Sequence, residues 1–379
     1  MATRRGALVR RRLARDENNP IEVLSEIKYL LDNRLRLGKV GGPFMPRPGA
    51  LRALIALSSL TIAVLGGAVA ADDPFDIPLW AYPGSKPDST VADSAELHRL
   101  PGSAARFTLR QVLNRFDPPD WHPQNHPPMP DVVAHGRAPK LYACAYCHLP
   151  NGTGRPENAT LAGLPEAYIV AQLGAFRSSA RRSPLPSYVP GLSMHTVAVN
   201  ATDADVASAA RYFSRLKAEP RVKVVETARI PRMQEAAFVY RRVPGGGTEP
   251  LGTRIIEGPV DFERHELRDD ALTYVAYVPP GSIKRGRSIA KTGANGLTTA
   301  CVTCHGAKLT GVDSIPRLAG HFPTYVMRQL VAFKTRARST PASQPMQGVV
   351  ARMSVADMIA VAAYAGSLNS ATSARFRNR

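Results

Sequence analysis

Cys144-Ala145-Tyr146-Cys147-His148 and Cys301-Val302-Thr303-Cys304-His305 decide how this chain of 379 residues is read. Each is a C-x-x-C-H block, the spacing at which two thiols and a neighbouring imidazole can reach one edge of a porphyrin. The thiols of such a block add across the vinyl groups of haem, and the His gives an axial nitrogen to iron. The chain has 4 cysteines, and all of them lie in these two blocks. Rival readings explain less. A zinc site needs four thiolates on one ion and leaves the repeated His without a reason. A thioredoxin-like pair sits in a βαβ context, which neither block has. Nothing else in the chain suggests a small disulfide scaffold. The expectation is two covalently bound haem c groups, held by Cys144, Cys147, Cys301 and Cys304, with His148 and His305 on the irons.

The two blocks are parts of a longer repeat. A shift of 157 positions places Cys144 on Cys301 and His148 on His305. Without a gap it also places Leu161-Ala162-Gly163 on Leu318-Ala319-Gly320, Tyr168 on Tyr325, Gln172 on Gln329, Phe176 on Phe333 and Arg181 on Arg338. Both copies read as a turn and then a helix, over 165–178 and 323–335. Each then runs through a loop with Pro and Ser to a Met, and on to a helix opened by Thr202 or Ser354 with an Asp three residues later. That pattern resembles a capping box with Asp in the place of Glu. Met194 and Met346 stand in the same register ahead of those caps, which singles them out as the second axial ligands. Met353 fits a staple position before the cap, and His195 and His321 have no counterpart in the other copy, so these three are assigned to packing or surface roles. The carbonyls of Pro316 and, in the first copy, Ala159 are placed to accept from the ring nitrogen of each His that faces away from iron.

With these residues, the sequence resembles bacterial di-haem class I c-type cytochromes of the cytochrome c-four type, over about 130–217 and 284–369. The resemblance implies a mainly α fold: two tandem class I cytochrome c haem domains with a β-prone inter-domain linker. Three departures stand out. Leu149 replaces the Gly usual after the first His, the approach to Cys144 contains prolines rather than a long helix, and the linker is far longer than the family's connector.

The resulting domain plan assigns 71–130 to a Pro-rich segment, 131–217 and 282–370 to the haem domains, 218–281 to the linker, and 371–379 to a basic tail. Within the linker, Val222–Val225, Ala237–Val243, Thr253–Glu257 and Thr273–Val278 are short β-prone runs between Gly and Pro clusters. Such an insert either packs on a haem edge, builds a partner surface, or acts as a spacer. In the Pro-rich segment a short helix is expected between Gly102 and Phe116. The loop around Trp121, His122, His126 and Met129 reads as a wrapper of the core rather than a dedicated metal site.

At the front, 53–71 is an uncharged apolar run preceded by Arg47 and Arg52, and Ala68-Val69-Ala70 supplies a small-x-small cleavage pattern. That describes an export signal over 45–70, with an uncleaved inner-membrane anchor as the alternative. Residues 1–44 are then either an artefact of start-site choice, with translation from Met45, or an extension holding an amphipathic stretch from Pro20 to Leu37. The formal net charge of +19 suits acidic docking partners or anionic membrane surfaces. No basic–aromatic stripe points to nucleic acid.

Together these expectations describe a periplasmic electron carrier, or the cytochrome subunit of an oxidoreductase complex. It would take electrons from a donor dehydrogenase or cytochrome and pass them to a cytochrome or terminal oxidase. The alternative is a di-haem enzyme, a peroxidase or a thiosulfate-oxidising enzyme, which requires one haem with an open or unusual position.

Overall fold

The computed structural model describes residues 75–84 and 95–368. The expected start site, the signal over 45–70 and the basic tail over 371–379 lie outside the described residues. Among the described residues no single helix is long and apolar enough to cross a membrane.

Helices outweigh strands, and the two halves of the sequence repeat run through the same order of elements. In the first half, α1 (Cys144–His148) carries the C-x-x-C-H block and α2 (Glu166–Arg177) follows it. Next come α3 (Val189–Asn200) and α4 (Asp203–Arg215). The linker holds strands β1 (Val222–Glu226), β2 (Arg229–Pro231), β3 (Met233–Ala236) and β4 (Val239–Arg242), followed by β5 (Thr248–Pro250), β6 (Ile256–Pro259), α5 (Phe262–Glu266) and β7 (Tyr274–Val278). In the second half, α6 (Ser282–Thr292) leads to α7 (Val302–His305), α8 (Pro323–Lys334), α9 (Gln344–Val350) and α10 (Val355–Ser367).

Local chemistry fixes the ends of these helices. Thr202 and Ser354 each accept from a backbone N–H three residues on, while Asp205 and Asp357 reach back to the cap N–H. Both capping boxes are therefore complete with Asp at the third position. Each Asp also meets an arginine from the segment before its C-x-x-C-H block. Arg137 donates to Asp205 at 3.1 Å, and Arg285 to Asp357 at 2.9 Å. Met353, just before the Ser354 cap, is buried with Met358 one turn inside α10, as a hydrophobic staple requires.

Two cores result. Val132, Leu141, Ala145, Ile169, Ala210, Phe213 and their neighbours bury the first half. The second core is larger and joins α8 and α10 to the linker, through Val222, Tyr274, Ala276 and Val278. There β7 pairs in parallel with β1 and antiparallel with β6, giving the order β1-β7-β6. Three of the four β-prone runs of the linker carry strands β1, β4 and β7, whereas Thr253–Glu257 is irregular until β6 begins at Ile256; β3 pairs with β4, and β2 with β5, antiparallel. Gly286 lets α6 cross α10 closely: a Cβ there would stand 1.9 Å from the Ala360 carbonyl oxygen.

The Pro-rich segment wraps this assembly. Its helix is short, Leu109–Val112, and Trp121 is 2% exposed with its indole N–H donating to the Leu267 carbonyl at 2.7 Å.

Candidate haem sites

In α1 the backbone turns once, so both thiols and the His leave it on neighbouring sides. His148 is buried, and its Nδ1–H donates to the Ala159 carbonyl at 2.8 Å. His305 does the same to Pro316 at 2.8 Å. A carbonyl can only accept, so these bonds fix the tautomer and leave Nε2 of each ring with a free lone pair. Burial lowers the pKa of both imidazoles, which keeps them neutral and ligand-competent.

Cys144, Cys147, His148 and Met194 all line one apolar cleft of about 610 Å³, walled by Ile169, Leu173 and Phe213. A contiguous cleft of about 900 Å³ shares His148 and Met194 and extends to Arg181 and Arg328. The structure thus brings the four sequence-selected residues of the first copy to one space. In the second copy, Cys301 and Met346 pack against one apolar cluster with Leu297 and Val349. Met194 and Met346 lie within α3 and α9, not in the loops expected from sequence, because Pro190 and Pro345 stand in the first turns of those helices and start them early. His195 is exposed and bonds the Phe176 carbonyl at 2.9 Å, while His321 is buried and stacked on Tyr325.

The four thiols are unpaired, and burial pushes Cys144 up to about 12 and Cys301 to about 11. Cys144 packs with the first core and Cys301 with the second, so they do not converge as a four-thiolate site would require.

The seam between the copies holds Arg181 and Arg338, whose charge predicts solvated helix ends that steer acidic partners; both are buried instead. Arg181 and Arg338 face each other as an antiparallel bridge, flanked by Arg182 N–H to Ala337 O and Ser339 N–H to Ala180 O, both 2.8 Å. Arg181 donates to Gln172 at 2.8 Å and Gln329 at 2.9 Å. Arg338 donates to Gln329 at 3.2 Å and Gln172 at 2.8 Å. Each guanidinium also stacks on a phenylalanine of its own copy, Phe176 or Phe333. Every partner has its mate under the 157-position shift, so the seam has approximate two-fold symmetry of an isologous kind. The signal was present in the repeat itself: Tyr, Gln, Phe and Arg recur where periodicity alone asks only for apolar residues.

Both arginines are buried, and among the described residues no carboxylate forms an ion pair with either. Two desolvated cations side by side call for anionic groups. Haem brings two carboxylates, and Arg181 lines the cleft shared by His148 and Met194. The residues present fit the group.

The cluster of His122, Asp269 and Asp270 gathers ligand atoms within 4.8 Å of one another. Its bonds are already internal: His122 pairs with Asp270, and Asp269 accepts from Arg264 at 2.6 Å and from the Ala271 N–H at 2.8 Å. It clamps the Pro-rich segment to the linker.

Comparison with known proteins bears on the same residues. Residues 289–369 match the family model of cytochrome c. That match lies within the second copy, and a cytochrome c domain implies covalently bound haem c. The chain is similar to a thiosulfate dehydrogenase electron acceptor of Thiomonas intermedia, 28% identical over 59% of this chain and 77% of that protein. It is also similar to cytochrome c4 of Azotobacter vinelandii, 28% identical over 33% of this chain and 65% of the relative. A solved cytochrome c4 of Acidithiobacillus ferrooxidans aligns with 59% of this chain and 97% of its own length, at 23% identity and a TM-score of 0.39.

Proposed function

We propose that the chain is a di-haem c-type cytochrome that transfers electrons, with haem domains over 131–217 and 282–370 joined by the linker at 218–281. It works as a free carrier or as the cytochrome subunit of an oxidoreductase complex. The observation that carries this reading is that each Cys pair sits on a turn whose His is held by a backbone carbonyl, and that in the first copy both thiols, this His and Met194 line one cleft. The similarity to thiosulfate dehydrogenase electron acceptors favours a role of that kind, accepting electrons from a donor dehydrogenase and passing them to a cytochrome or oxidase.

Cys144 and Cys147 would hold the first haem, with His148 and Met194 on its iron; Cys301, Cys304, His305 and Met346 would hold the second. When bound, each haem would supply one-electron chemistry, and a Met sulfur among the residues that hold it would raise its potential. The protein's own work is geometric and electrostatic. Ala159 and Pro316 orient the imidazoles, and the apolar walls of α2 and α4 exclude water from the first site. Arg181 and Arg338 would take the haem carboxylates at the seam between the copies. With a His and a Met both committed to holding each haem, the chain would perform no substrate chemistry of its own. Export to the periplasm, with or without an anchor at 45–70, places it where haem c is attached.

A reductive titration of the purified holoprotein tests this. The reading expects two electrons per chain and no change in either haem on addition of cyanide. A haem that binds cyanide readily would contradict it and favour a peroxidase-type enzyme.

A further inference from the structure

The linker does not treat the two C-x-x-C-H turns alike. Its segment after α5 lies on the first turn. The Arg268 guanidinium stacks on the Tyr146 ring, 3.5 Å from its centroid, and donates to the Tyr146 carbonyl at 2.7 Å. The Asn151 amide, just beyond the same turn, donates to the Asp270 carbonyl at 3.0 Å. The equivalent of Tyr146 in the second copy is Thr303, which is exposed together with Cys304.

The charges around Arg268 cancel in pairs and leave it alone. Arg155 pairs with Glu157, Arg264 with Asp269, and His122 with Asp270. Among the described residues no carboxylate forms an ion pair with Arg268, and its Nε is buried without a hydrogen-bond partner. Arg268 also has a φ of +57°, a left-handed conformation that residues other than glycine adopt only at a cost. Such a cost persists where the surroundings dictate it, and here they point a desolvated cation at Tyr146, the residue just before Cys147. An arginine stays charged in this setting.

We propose that Arg268 is a tuning residue for the first haem: by placing an unpaired positive charge on its attachment turn, it raises that haem's affinity for an electron relative to the second. A nearby cation opposes the more positive oxidised state of a haem and favours the reduced one. The field acts through a partly desolvated path, where it is little screened. The linker thereby sets the order in which two otherwise duplicated sites fill. This inference rests on the di-haem reading above.

Spectroelectrochemical titration of the full-length holoprotein tests it. In Arg268→Gln, one of the two midpoint potentials should fall, with the reduction equilibrium at that haem dropping about tenfold, equivalent to about 59 mV for a one-electron couple. The other potential should stay in place, and Arg268→Lys should retain most of the effect because it keeps the charge. Tyr146→Glu, which pairs the guanidinium instead of deleting it, should lower the same potential and serves should the glutamine variant fail to fold. In a Cys144→Ser/Cys147→Ser background, Arg268→Gln should shift nothing. Unmoved potentials in Arg268→Gln, or a shift that survives in that background, would overturn the proposal. The haem content of the same samples separates an Arg268 without influence from a chain lacking the first haem, which would overturn the di-haem reading as well.

Discussion

The two C-x-x-C-H turns share a hydrogen bond, a register and a symmetric seam, yet differ on every side that does not face the haem cleft. After the second block stands Gly306 with a φ of +81° and ψ of 158°. After the first stands Leu149 in nearly the same conformation, φ +63° and ψ 154°, a region otherwise almost confined to glycine. Leu149 is 3% exposed, so its burial offsets the strain. The second turn is preceded by the long α6, crossing α10 at Gly286; the first is preceded only by the short helix Asp131–Ala134. What the first copy lacks in helix is replaced by the Pro-rich wrapper and the linker. The lesson is that the two copies share what holds each C-x-x-C-H histidine and differ in what packs around it.

That comparison can be broken in several ways. The largest effect is expected from Cys144→Ser/Cys147→Ser: haem content by pyridine haemochrome should fall from two per chain to one. Loss of both haems would show that the copies do not load separately. Next, Gly286→Ala forces a Cβ against the Ala360 carbonyl and should cost about 3 kcal/mol or more, read as a lower denaturation midpoint. An unchanged midpoint would mean that the second copy does not depend on that close crossing. Gly306→Ala asks a side chain to adopt the conformation that Leu149 tolerates, and without a buried leucine to offset it should cost about 1–3 kcal/mol.

A subtler asymmetry lies in pH dependence. Glu257 of β6 accepts from the Thr324 N–H at 3.0 Å at the start of α8, and burial pushes its carboxyl up to about 7. An acid whose folded pKa is raised binds a proton in the folded state that the unfolded state has already lost. Stability should therefore decline as pH rises from about 4.5 toward 7. Glu257→Gln should flatten that part of the profile, and a profile unchanged by the substitution would remove Glu257 as its source. The smallest effect concerns Asp205, which the Arg137 guanidinium holds down to about 2. Its contribution is present above about pH 4 and lost as pH falls toward 2, and because Arg137 is exposed and screened it is small. Asp205→Asn should abolish that increment in acid titrations of the denaturation midpoint.

Much of this was legible in the chain. The C-x-x-C-H spacing, the capping boxes at Thr202 and Ser354 and the β-prone runs of the linker are local signals, and local chemistry decides them. The carbonyl partners of His148 and His305 followed from a fixed offset of eleven residues. The Pro and Ser ahead of Met194 and Met346 predict loops because they mark turns as readily as helix starts, and here they start helices. The Arg181–Arg338 seam and the grip of Arg268 on Tyr146 depend on residues more than 100 positions apart, and no local pattern carries such pairings.

The central claim is that Met194 and Met346, chosen by a shared register, complete two equivalent iron sites. The optical spectrum of the oxidised holoprotein in the methionine–iron charge-transfer region tests it most directly. Two low-spin haems are expected, with the band losing about half its intensity in Met194→Ala, half in Met346→Ala, and nothing in Met353→Ala or His321→Ala. A band abolished by Met353→Ala, or a high-spin haem in the unsubstituted protein, would contradict the account.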